Sequence, residues 1–276
     1  MKLHVNRLCE KVGMSRQNFY KGRKSRQKRQ VEGAKIAEKV KRERKTHPRM
    51  GGKKIHGILG EELRRECLYV GRDIFFDVLR AHGLLVERLP KAPCTTNSNH
   101  NLPVFSNILD TIEIDAPNKA WASDITFVRV MDDFMYLSLT TDMFSREIVG
   151  WNLSENMKAE DTLEALEMAL ADKPEDARPV HHSDRGSQYC SHLYVGKLKE
   201  NDLEVSMTEK DHCAENALAE RVNGILKQEY GLGYVFANAE QARLAVEQAI
   251  WIYNHKRPHT SLGMRTPAEV HAGEAA

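Results

Sequence analysis

Three acidic residues stand in sequence contexts that could bring their carboxyl groups together. Asp124 lies in residues 121–130, a run rich in β-branched and aromatic residues that predicts a strand. Asp184 follows a short apolar segment and precedes a glycine, and thirty-five residues separate it from Glu220, which lies in a run typical of a helix. Two acids from strands and one from a helix can converge on one point. Clustered carboxylates of this kind are ligands for a divalent metal ion.

Such a cluster would support phosphoryl transfer. Mg²⁺ prefers oxygen ligands in octahedral geometry and keeps several of its waters. Two such ions about 4 Å apart can activate the attacking oxygen and stabilise the leaving oxygen of an in-line displacement. Without metal, like charges so close together would raise the pKa of at least one carboxyl group. The sequence therefore predicts a site whose internal repulsion is relieved by metal.

Each acid has an ordinary explanation when it is taken alone. Asp124 could be an edge or capping acid, and Asp184 could belong to a turn or cap a following helix. Glu220 could be an exposed helical glutamate, which is the usual environment of that residue. We prefer the metal-site interpretation because independent signals agree at the ends of the predicted elements.

The predicted helix of Glu220 carries further polar groups. Asn216 precedes Glu220 by four residues and Lys227 follows it by seven, so both share its face, and Asn223 lies near that face. Groups of this kind suit contacts to a DNA backbone. Lys227 could equally be a solvated cation. We take Asn216, Asn223 and Lys227 as candidate DNA contacts.

Two histidines come directly before Asp184. Because His181 and His182 lack an H-x₃₋₅-H or C-x-x-C partner, zinc binding is disfavoured. A histidine here could contact DNA beside the carboxylates or fill the end of the strand, and His182 and Arg185 are further candidate DNA contacts. The cysteines are scattered and odd in number, which predicts reduced thiols rather than a disulfide framework. They are Cys9, Cys67, Cys94, Cys190 and Cys213.

The order of the predicted elements defines the fold class. Residues 121–153 predict three strands joined as hairpins, and a helix, a strand, a helix and a fifth strand follow. Long helices over 215–230 and 239–255 come last. On the second of these helices, one stripe comprises Leu244, Ala245, Gln248, Ile252 and Tyr253. This order is typical of a ribonuclease H-like α/β core, a five-stranded mixed sheet with flanking helices. There the first and fourth strands are parallel neighbours, which would place Asp124 beside Asp184.

Positive charge is concentrated in the first third of the chain. The net charge is only +2, but residues 1–90 hold 24 Lys and Arg against 10 Asp and Glu, a balance of +14, and residues 91–276 have a balance of −12. A basic segment of this size favours nucleic acid as a partner over a merely solvated helical face. No apolar run approaches the ~20 residues of a membrane span, and the start lacks a signal peptide's apolar core, so we expect a cytoplasmic protein without a membrane partner.

The predicted domain organisation separates the basic region from the core. Residues 1–45 predict a basic helical region, in which the cationic run 21–29 should be flexible or solvated unless phosphates neutralise it. Residues 46–90 predict an all-α, helix-turn-helix-like DNA-binding region, a pattern that any small helical pair also gives. Residues 91–114 predict a linker, and residues 115–276 predict the catalytic core with its C-terminal helices. Candidate DNA contacts in the helical pair are Arg49, Lys53, Lys54 and Arg72.

Long stretches of the chain resemble a known family. The motifs at residues 121–126, 182–189 and 219–229, which contain the three acids, are similar to those of insertion-sequence-three family transposases of the second-open-reading-frame (OrfB) type. These are DDE enzymes with a retroviral-integrase-like core. Further similar motifs lie at 142–151, at 206–207 and between 253 and 267. One departure is the Glu215-Asn216 pair, where the family usually has Asp-Asn.

The resemblance implies cleavage and strand transfer at the ends of a mobile DNA element during transposition and integration. It implies Asp124, Asp184 and Glu220 as catalytic metal ligands, with Mg²⁺ as cofactor and Mn²⁺ as a substitute. The implied partners are terminal inverted repeats, target DNA, further copies of the chain and the upstream-frame protein of the element. On DNA the protein would be associated with the nucleoid. The HHCC zinc module of retroviral integrases is absent from the sequence.

Two other functions are compatible with parts of the sequence. The first is a catalytically silent DNA-binding regulator derived from such an element, which the intact acids disfavour. The second is a plain ribonuclease H-type nuclease, which the basic N-terminal region and the C-terminal motifs disfavour. Cleavage assays on matched substrates would separate all three.

Overall fold

The computed structural model describes residues 5–87, 102–209 and 216–273. The chain divides into two compact units, one of Met1–Thr46 with Met50–Glu87 and one of His47–Arg49 with Arg88–Ala276. None of the helices in the described ranges combines the length and apolar character that a membrane span requires. Three cysteines, Cys9, Cys67 and Cys190, are free thiols, whereas Cys94 and Cys213 lie outside the described residues.

The first unit is all-α. Its helices are α1 (Val5–Lys11), α2 (Arg16–Glu43), α3 (Gly52–Arg65) and α4 (Arg72–Ala81). A left-handed glycine, Gly13, separates α1 from α2, and Ser15 caps α2 by accepting a hydrogen bond from the backbone of Asn18. The second half of α2 packs with α3 and α4 around one apolar cluster. Its members include Ile36, Val40, Ile55, Leu59, Leu63, Phe75 and Leu79.

The cationic run 21–29 is helical, so the expectation of a flexible segment is wrong for its backbone. It forms the middle of the 28-residue helix α2, and its side chains are almost all exposed. Lysine, arginine and glutamine have high helix propensity, and water screens like charges that project from a solvated helix. The run is therefore solvated, as expected, but ordered.

The second unit is built on a mixed sheet with the predicted five strands. They are β1 (Ala120–Val130), β2 (Asp133–Asp142), β3 (Ile148–Ser154), β4 (Val180–Ser183) and β5 (Val205–Met207). Their order is β3-β2-β1-β4-β5, in which β1, β2 and β3 are antiparallel and β1, β4 and β5 are parallel. A sixth strand that we did not predict, β6 (Val235–Phe236), pairs in parallel with the end of β1. The ribonuclease H-like fold class is thus confirmed.

Helices cover both faces of the sheet. They are α5 (Ala159–Ala171), α6 (His192–Glu200), α7 (Ala217–Glu229), α8 (Ala239–His255) and α9 (Pro267–His271). One apolar cluster joins β1–β3 to α7 and α8, and a second joins Trp121 of β1 to α5 and α6. The described part of the predicted linker, from residue 102, lies on the core, where Leu102 and Phe105 pack against the second cluster. Ile108 donates its backbone N–H to Ser206.

A polar cluster joins the beginning of β1 to the last helix. The buried carboxylate of Asp142 accepts hydrogen bonds from the backbone of Asn118 and from both the backbone and the hydroxyl of Ser145. The Ser145 hydroxyl also lies 2.9 Å from Nδ1 of His271 in α9. Nε2 of the same imidazole lies 3.4 Å from the Asn118 side chain. The two ends of the core are therefore joined side chain to side chain.

Candidate active site

The register of β1 against β4 places Asp124 and Asp184 side by side. The last pair of this parallel ladder is Ser123 with Ser183, and each aspartate is the next residue in its chain. β4 ends at Ser183, and β6 joins the same edge of β1 only from Arg129. Asp124 therefore lies where this edge of the central strand is free of a strand partner. The sequence-based expectation of neighbouring aspartates is confirmed.

Helix α7 lies against this free stretch of β1 and carries Glu220 in its first turn. The side-chain amide of Asn223, one turn later, donates to Oδ2 of Asp124 at 2.7 Å. The amide of Asn216 donates to the backbone carbonyl of Ser123 at 3.3 Å. Both asparagines are buried. They connect the helix to the strand, so in this structure their side chains bind within the protein rather than make the DNA contacts that we expected of them.

The electrostatics of Asp124 identify the centre of the site. Burial and, to a smaller extent, the charges of Asp184 and Glu220 raise the pKa of its carboxyl group to about 7, although hydrogen bonds from Ile125 and Asn223 act to lower it. Repulsion among the acids was expected from the sequence, and its direction is confirmed. A nearby cation would stabilise the ionised form of a carboxyl group in this environment.

The donor set fits a divalent metal ion only in part. Asp124 and Asp184 supply hard oxygen ligands beside each other, as Mg²⁺ or Mn²⁺ requires. Within the described ranges, however, no three His, Cys, Asp or Glu side chains form a group spaced to hold an ion. Glu220 is close enough to influence the pKa of Asp124 but not to complete such a group. A bound ion would have to draw it in.

The loop after β4 orients Asp184. Oδ1 of Asp184 accepts the backbone N–H of Gly186 at 2.9 Å, and a Cβ at position 186 would meet that oxygen at 3.0 Å. This contact explains the glycine. The next side chain, Arg185, donates from Nε to the backbone carbonyl of Thr208 at 2.6 Å. One edge of its guanidinium is thus fixed to the segment after β5.

The histidines before Asp184 are structural. His181 is fully buried, with Nε2 2.9 Å from both the Ser123 and the Tyr194 hydroxyls, and burial lowers its pKa to about 3, so the imidazole is neutral. His182 is fully buried as well, with Nδ1 2.9 Å from the Ser206 hydroxyl. A DNA contact by His182 is therefore wrong for this structure, because its ring has no exposed surface. The alternative that it fills the strand end is the one observed.

Two further side chains, those of Lys227 and Tyr189, lie near the aspartates. Burial lowers the pKa of Lys227, and the charge of Asp124 opposes this effect, so the ammonium group lies within the field of the site. Tyr189 was not predicted. Burial raises the pKa of its phenol well above the usual range, followed by the charges of Tyr194, Asp124 and Asp184. Its place five residues after Asp184, in the loop that leads from β4 to α6, was the available signal.

Most candidate DNA contacts of the first unit lie on one groove between α3 and α4. Lys53 and Arg72 line a groove of about 440 Å³ together with Arg80, which we did not predict. Arg80 follows Arg72 by eight residues, about two helical turns, so helical spacing could have identified it. Lys54 is half-buried on α3.

The remaining candidate of the N-terminal region, Arg49, belongs to the second unit. There it donates from Nε to the backbone carbonyl of Gln228 at 3.1 Å and from its guanidinium to the Tyr234 hydroxyl, also at 3.1 Å. These contacts hold Arg49 at the end of α7. Its assignment to the helical pair, which rested on its position in the sequence, does not match this placement.

Comparison with known proteins gives consistent matches. Two models of the integrase core domain match residues 115–213 and 201–267. The "Insertion element IS600 uncharacterized 31 kDa protein" of Shigella sonnei is 36% identical over 266 residues, which cover 95% of this chain and 96% of the relative. The transposase InsF for insertion sequence IS3A of Escherichia coli (strain K12) is 35% identical over 193 residues, covering 69% of this chain and 67% of the relative.

Solved retroviral structures are similar at a lower level. The HTLV-2 integrase catalytic core domain in complex with magnesium, in its trimeric form, is 20% identical with a TM-score of 0.46 and covers 57% of this chain and 98% of its own. A simian T-cell lymphotropic virus intasome chain is 19% identical with a TM-score of 0.49, covering 81% and 74%. The family assignment rests on the similarity to insertion-element relatives and on the two core-domain models, and the order of the strands agrees with it. The chain belongs to the IS3 family of insertion-sequence transposases and is a DDE transposase.

Proposed function

We propose that Asp124, Asp184 and Glu220 are the catalytic acids and hold Mg²⁺, with Mn²⁺ as a substitute, for cleavage and strand transfer at the ends of the element. When bound, the metal would activate the attacking oxygen and stabilise the leaving one. Asp124 and Asp184 form the fixed part of the site, since each follows the last paired residue of its strand. Glu220 completes it from α7.

The observation that carries this proposal is the unfavourable state of Asp124. Its carboxyl group is kept near two other acids and partly away from water, so that its pKa is about 7. A fold would not retain such repulsion for stability alone. Asn223 and the backbone of Ile125 orient the two oxygens of Asp124, and we propose that the ammonium group of Lys227 contacts a phosphate oxygen of bound DNA.

The substrate is proposed to be the terminal inverted repeats of the element and then target DNA. The basic first unit supports this, with Lys53, Lys54, Arg72 and Arg80 on or near its helical pair, which we propose acts as a helix-turn-helix DNA-binding region. Arg185 would add a contact next to Asp184. We further propose that copies of the chain assemble on paired ends, with the upstream-frame protein as a partner, in the cytoplasm and on the nucleoid.

The direct test is strand transfer with purified protein and labelled terminal-repeat DNA. We expect joining of the 3′ ends to a target plasmid with Mg²⁺ or Mn²⁺, no joining with EDTA, and recovery when Mg²⁺ is added back. Tight, salt-sensitive binding with no cleavage under either metal would instead identify a silent regulator. Rapid degradation of an RNA–DNA hybrid would identify a ribonuclease H-type nuclease.

A second prediction concerns Asn223. Since its amide orients Asp124, Asn223→Ala should lower strand transfer by roughly 10- to 100-fold, the usual effect of losing a group that orients a metal ligand. Binding of terminal DNA should be unchanged because the residue is buried. A gel-shift titration beside the transfer assay would check both, with Asn152→Ala as a control that loses an amide hydrogen bond away from the acids. Loss of DNA affinity would show that Asn223 contacts DNA after all.

A further inference from the structure

The C-terminal motif Arg257-Pro258-His259 has no part in the site described so far. It follows α8 directly and turns the chain towards α9. Among the residues that the structure describes, Arg257 is the one charged side chain within the group of largest fully buried side chains, with only 1% of its side chain exposed. A buried guanidinium is costly unless its donors are satisfied and its charge is paired. Its partners therefore show what the motif does.

Those partners lie at the end of α7. Nε and one terminal nitrogen of Arg257 donate to the two oxygens of Glu229 at 2.9 and 3.0 Å, a bidentate ion pair. Its other terminal nitrogen lies 2.8 Å from Nε2 of His259, and its guanidinium carbon lies 5.8 Å from the centre of the Tyr253 ring. The backbone N–H of Arg257 donates to Ile252 of α8. The guanidinium is thus fixed by α8 and holds α7.

Glu229 is poorly placed without this partner. It is the last residue of α7, where the partial negative charge of the helix C-terminus disfavours a carboxylate. Its side chain is only 15% exposed, so water does not compensate. Arg257 compensates for both unfavourable effects, because it supplies the opposite charge and two aligned hydrogen-bond donors. The ion pair with Arg257 therefore anchors the carboxyl end of α7, at a position where a carboxylate would otherwise be unfavourable.

The other end of the same helix carries the site. Glu220 and Glu229 are nine residues apart, about 13 Å along one rigid helix, and Asn223 between them donates to Asp124. A shift or rotation of α7 at its anchored end would move Glu220 relative to the two aspartates. The described acids do not yet form a group that holds an ion. Small changes in the position of α7 should therefore decide how readily Glu220 reaches the metal.

We propose that Arg257 is a positioning residue that, through Glu229, sets the position of α7 so that Glu220 meets the metal held by Asp124 and Asp184. This rests on the proposed catalytic site. The motif would then act on the reaction without touching DNA or metal. The two parallel hydrogen bonds from Arg257 to Glu229 matter as well as the charge. A lysine at position 257 would keep the charge but could not form both hydrogen bonds.

The test compares Arg257→Lys and Glu229→Gln with Ile250→Val in the full chain. Ile250 lies in the apolar cluster that joins β1–β3 to α7 and α8 but has no part in the ion pair. Its variant therefore controls for a general loss of stability. Mn²⁺ binding is measured by electron paramagnetic resonance, which needs no turnover, and strand transfer is measured across a Mn²⁺ titration. Thermal unfolding shows that each variant is folded and how far it is destabilised.

We expect both ion-pair variants to need about 10-fold more Mn²⁺ for half-maximal binding and transfer, as when a group that orients a metal ligand is lost. The double variant should be no worse than either single one, because both remove the same pair. Ile250→Val should keep the wild-type midpoint at a similar loss of stability. Equal midpoints in all variants, or an equal shift in Ile250→Val, would overturn the inference. A wild-type chain that binds no Mn²⁺ would overturn the proposed site itself.

Discussion

Replacing Asp124 by asparagine is expected to abolish strand transfer and, in the absence of metal, to make the protein more stable above pH 7. The loss of activity follows from removing a charged ligand at the centre of the site, and we expect at least about a 100- to 1,000-fold decrease. The gain in stability follows from removing a carboxylate that the fold holds under repulsion. Both expected results follow from the proposal that this carboxylate binds a cation, which would offset the repulsion.

The sign of the pH dependence follows from the raised pKa. The carboxyl group of Asp124 has a pKa of about 7 in the fold, above its ordinary value of 3.8. The folded protein therefore loses stability as the pH rises from about 4 to about 7, and the full loss is present above that range. Because the side chain keeps some access to water and Asn223 partly stabilises the charge, we expect a gain of about 1–3 kcal/mol for Asp124→Asn at pH 8.

Urea unfolding in EDTA at pH 8 and at pH 5 would measure this gain, which should shrink at the lower pH. Added Mn²⁺ should stabilise the wild type and leave Asp124→Asn unchanged. Asp132→Asn, an exposed change in the turn between β1 and β2, is the matched control and should show neither effect. Asp184→Asn should also abolish transfer, and full activity in that variant would show that the acids are wrongly assigned.

Gly150→Ala is expected to have the largest effect on stability. Gly150 lies in β3 under α5, and a Cβ there would come within 2.0 Å of the backbone oxygen of Ala165 and 3.0 Å of the Cβ of Ala169. No rotamer relieves an overlap with backbone, so α5 would have to move away from the sheet. Overpacking commonly costs about 1–3 kcal/mol and more when backbone must shift. We expect about 3 kcal/mol or more, and low soluble yield.

Thermal unfolding of the two purified proteins would measure this effect, with a decrease in melting temperature of about 6–12 °C for a unit of this size. Gly196→Ala is the control, since Gly196 lies within α6 and a Cβ there would meet nothing within 4 Å. That change should be neutral or stabilising, by up to about 1 kcal/mol, because alanine favours the helix. A Gly150→Ala protein as stable as the wild type would mean that α5 does not pack on β3 this closely.

The sheet and its order could be predicted because they follow from local patterns. Alternating apolar residues and turn residues are visible in the sequence, and the rules of strand connection leave few topologies for that order of elements. The neighbouring positions of Asp124 and Asp184 then follow from the parallel pairing of β1 with β4. β6 was missed because two residues give no periodicity, and its pairing depends on the turn after α7.

The inward face of α8 could not be predicted from hydrophobicity. Leu244, which lies on the stripe identified in the sequence, is 54% exposed, whereas Ala242, Val246, Ala249 and Ile250 are among the buried residues of the helix. Which face of α8 is buried depends on the neighbouring elements against which it packs, namely β1–β3 and α7, and not on the helix itself. Tyr253 was placed correctly.

Side-chain roles were the least predictable part of the site. His182 and Asn223 have polar groups suited to DNA, but the fold uses both internally. Their direction depends on which face of β4 or α7 is covered, and that is decided by residues distant in sequence. The ion pair between Glu229 and Arg257 is another example, since its two members lie in different helical segments. Pairwise contacts of this kind carry no local signal.

The contact between Asn118 and His271 bears on whether this core can be transferred between genes as one unit. Asn118 stands just before the first strand and His271 ends the last helix, yet their side chains meet at 3.4 Å. The beginning of β1 and the end of α9 therefore meet at one corner of the core. A module closed in this way can be joined to unrelated segments on either side without being rethreaded. Recombination between genes would therefore transplant the strands and helices between these two residues as a single block.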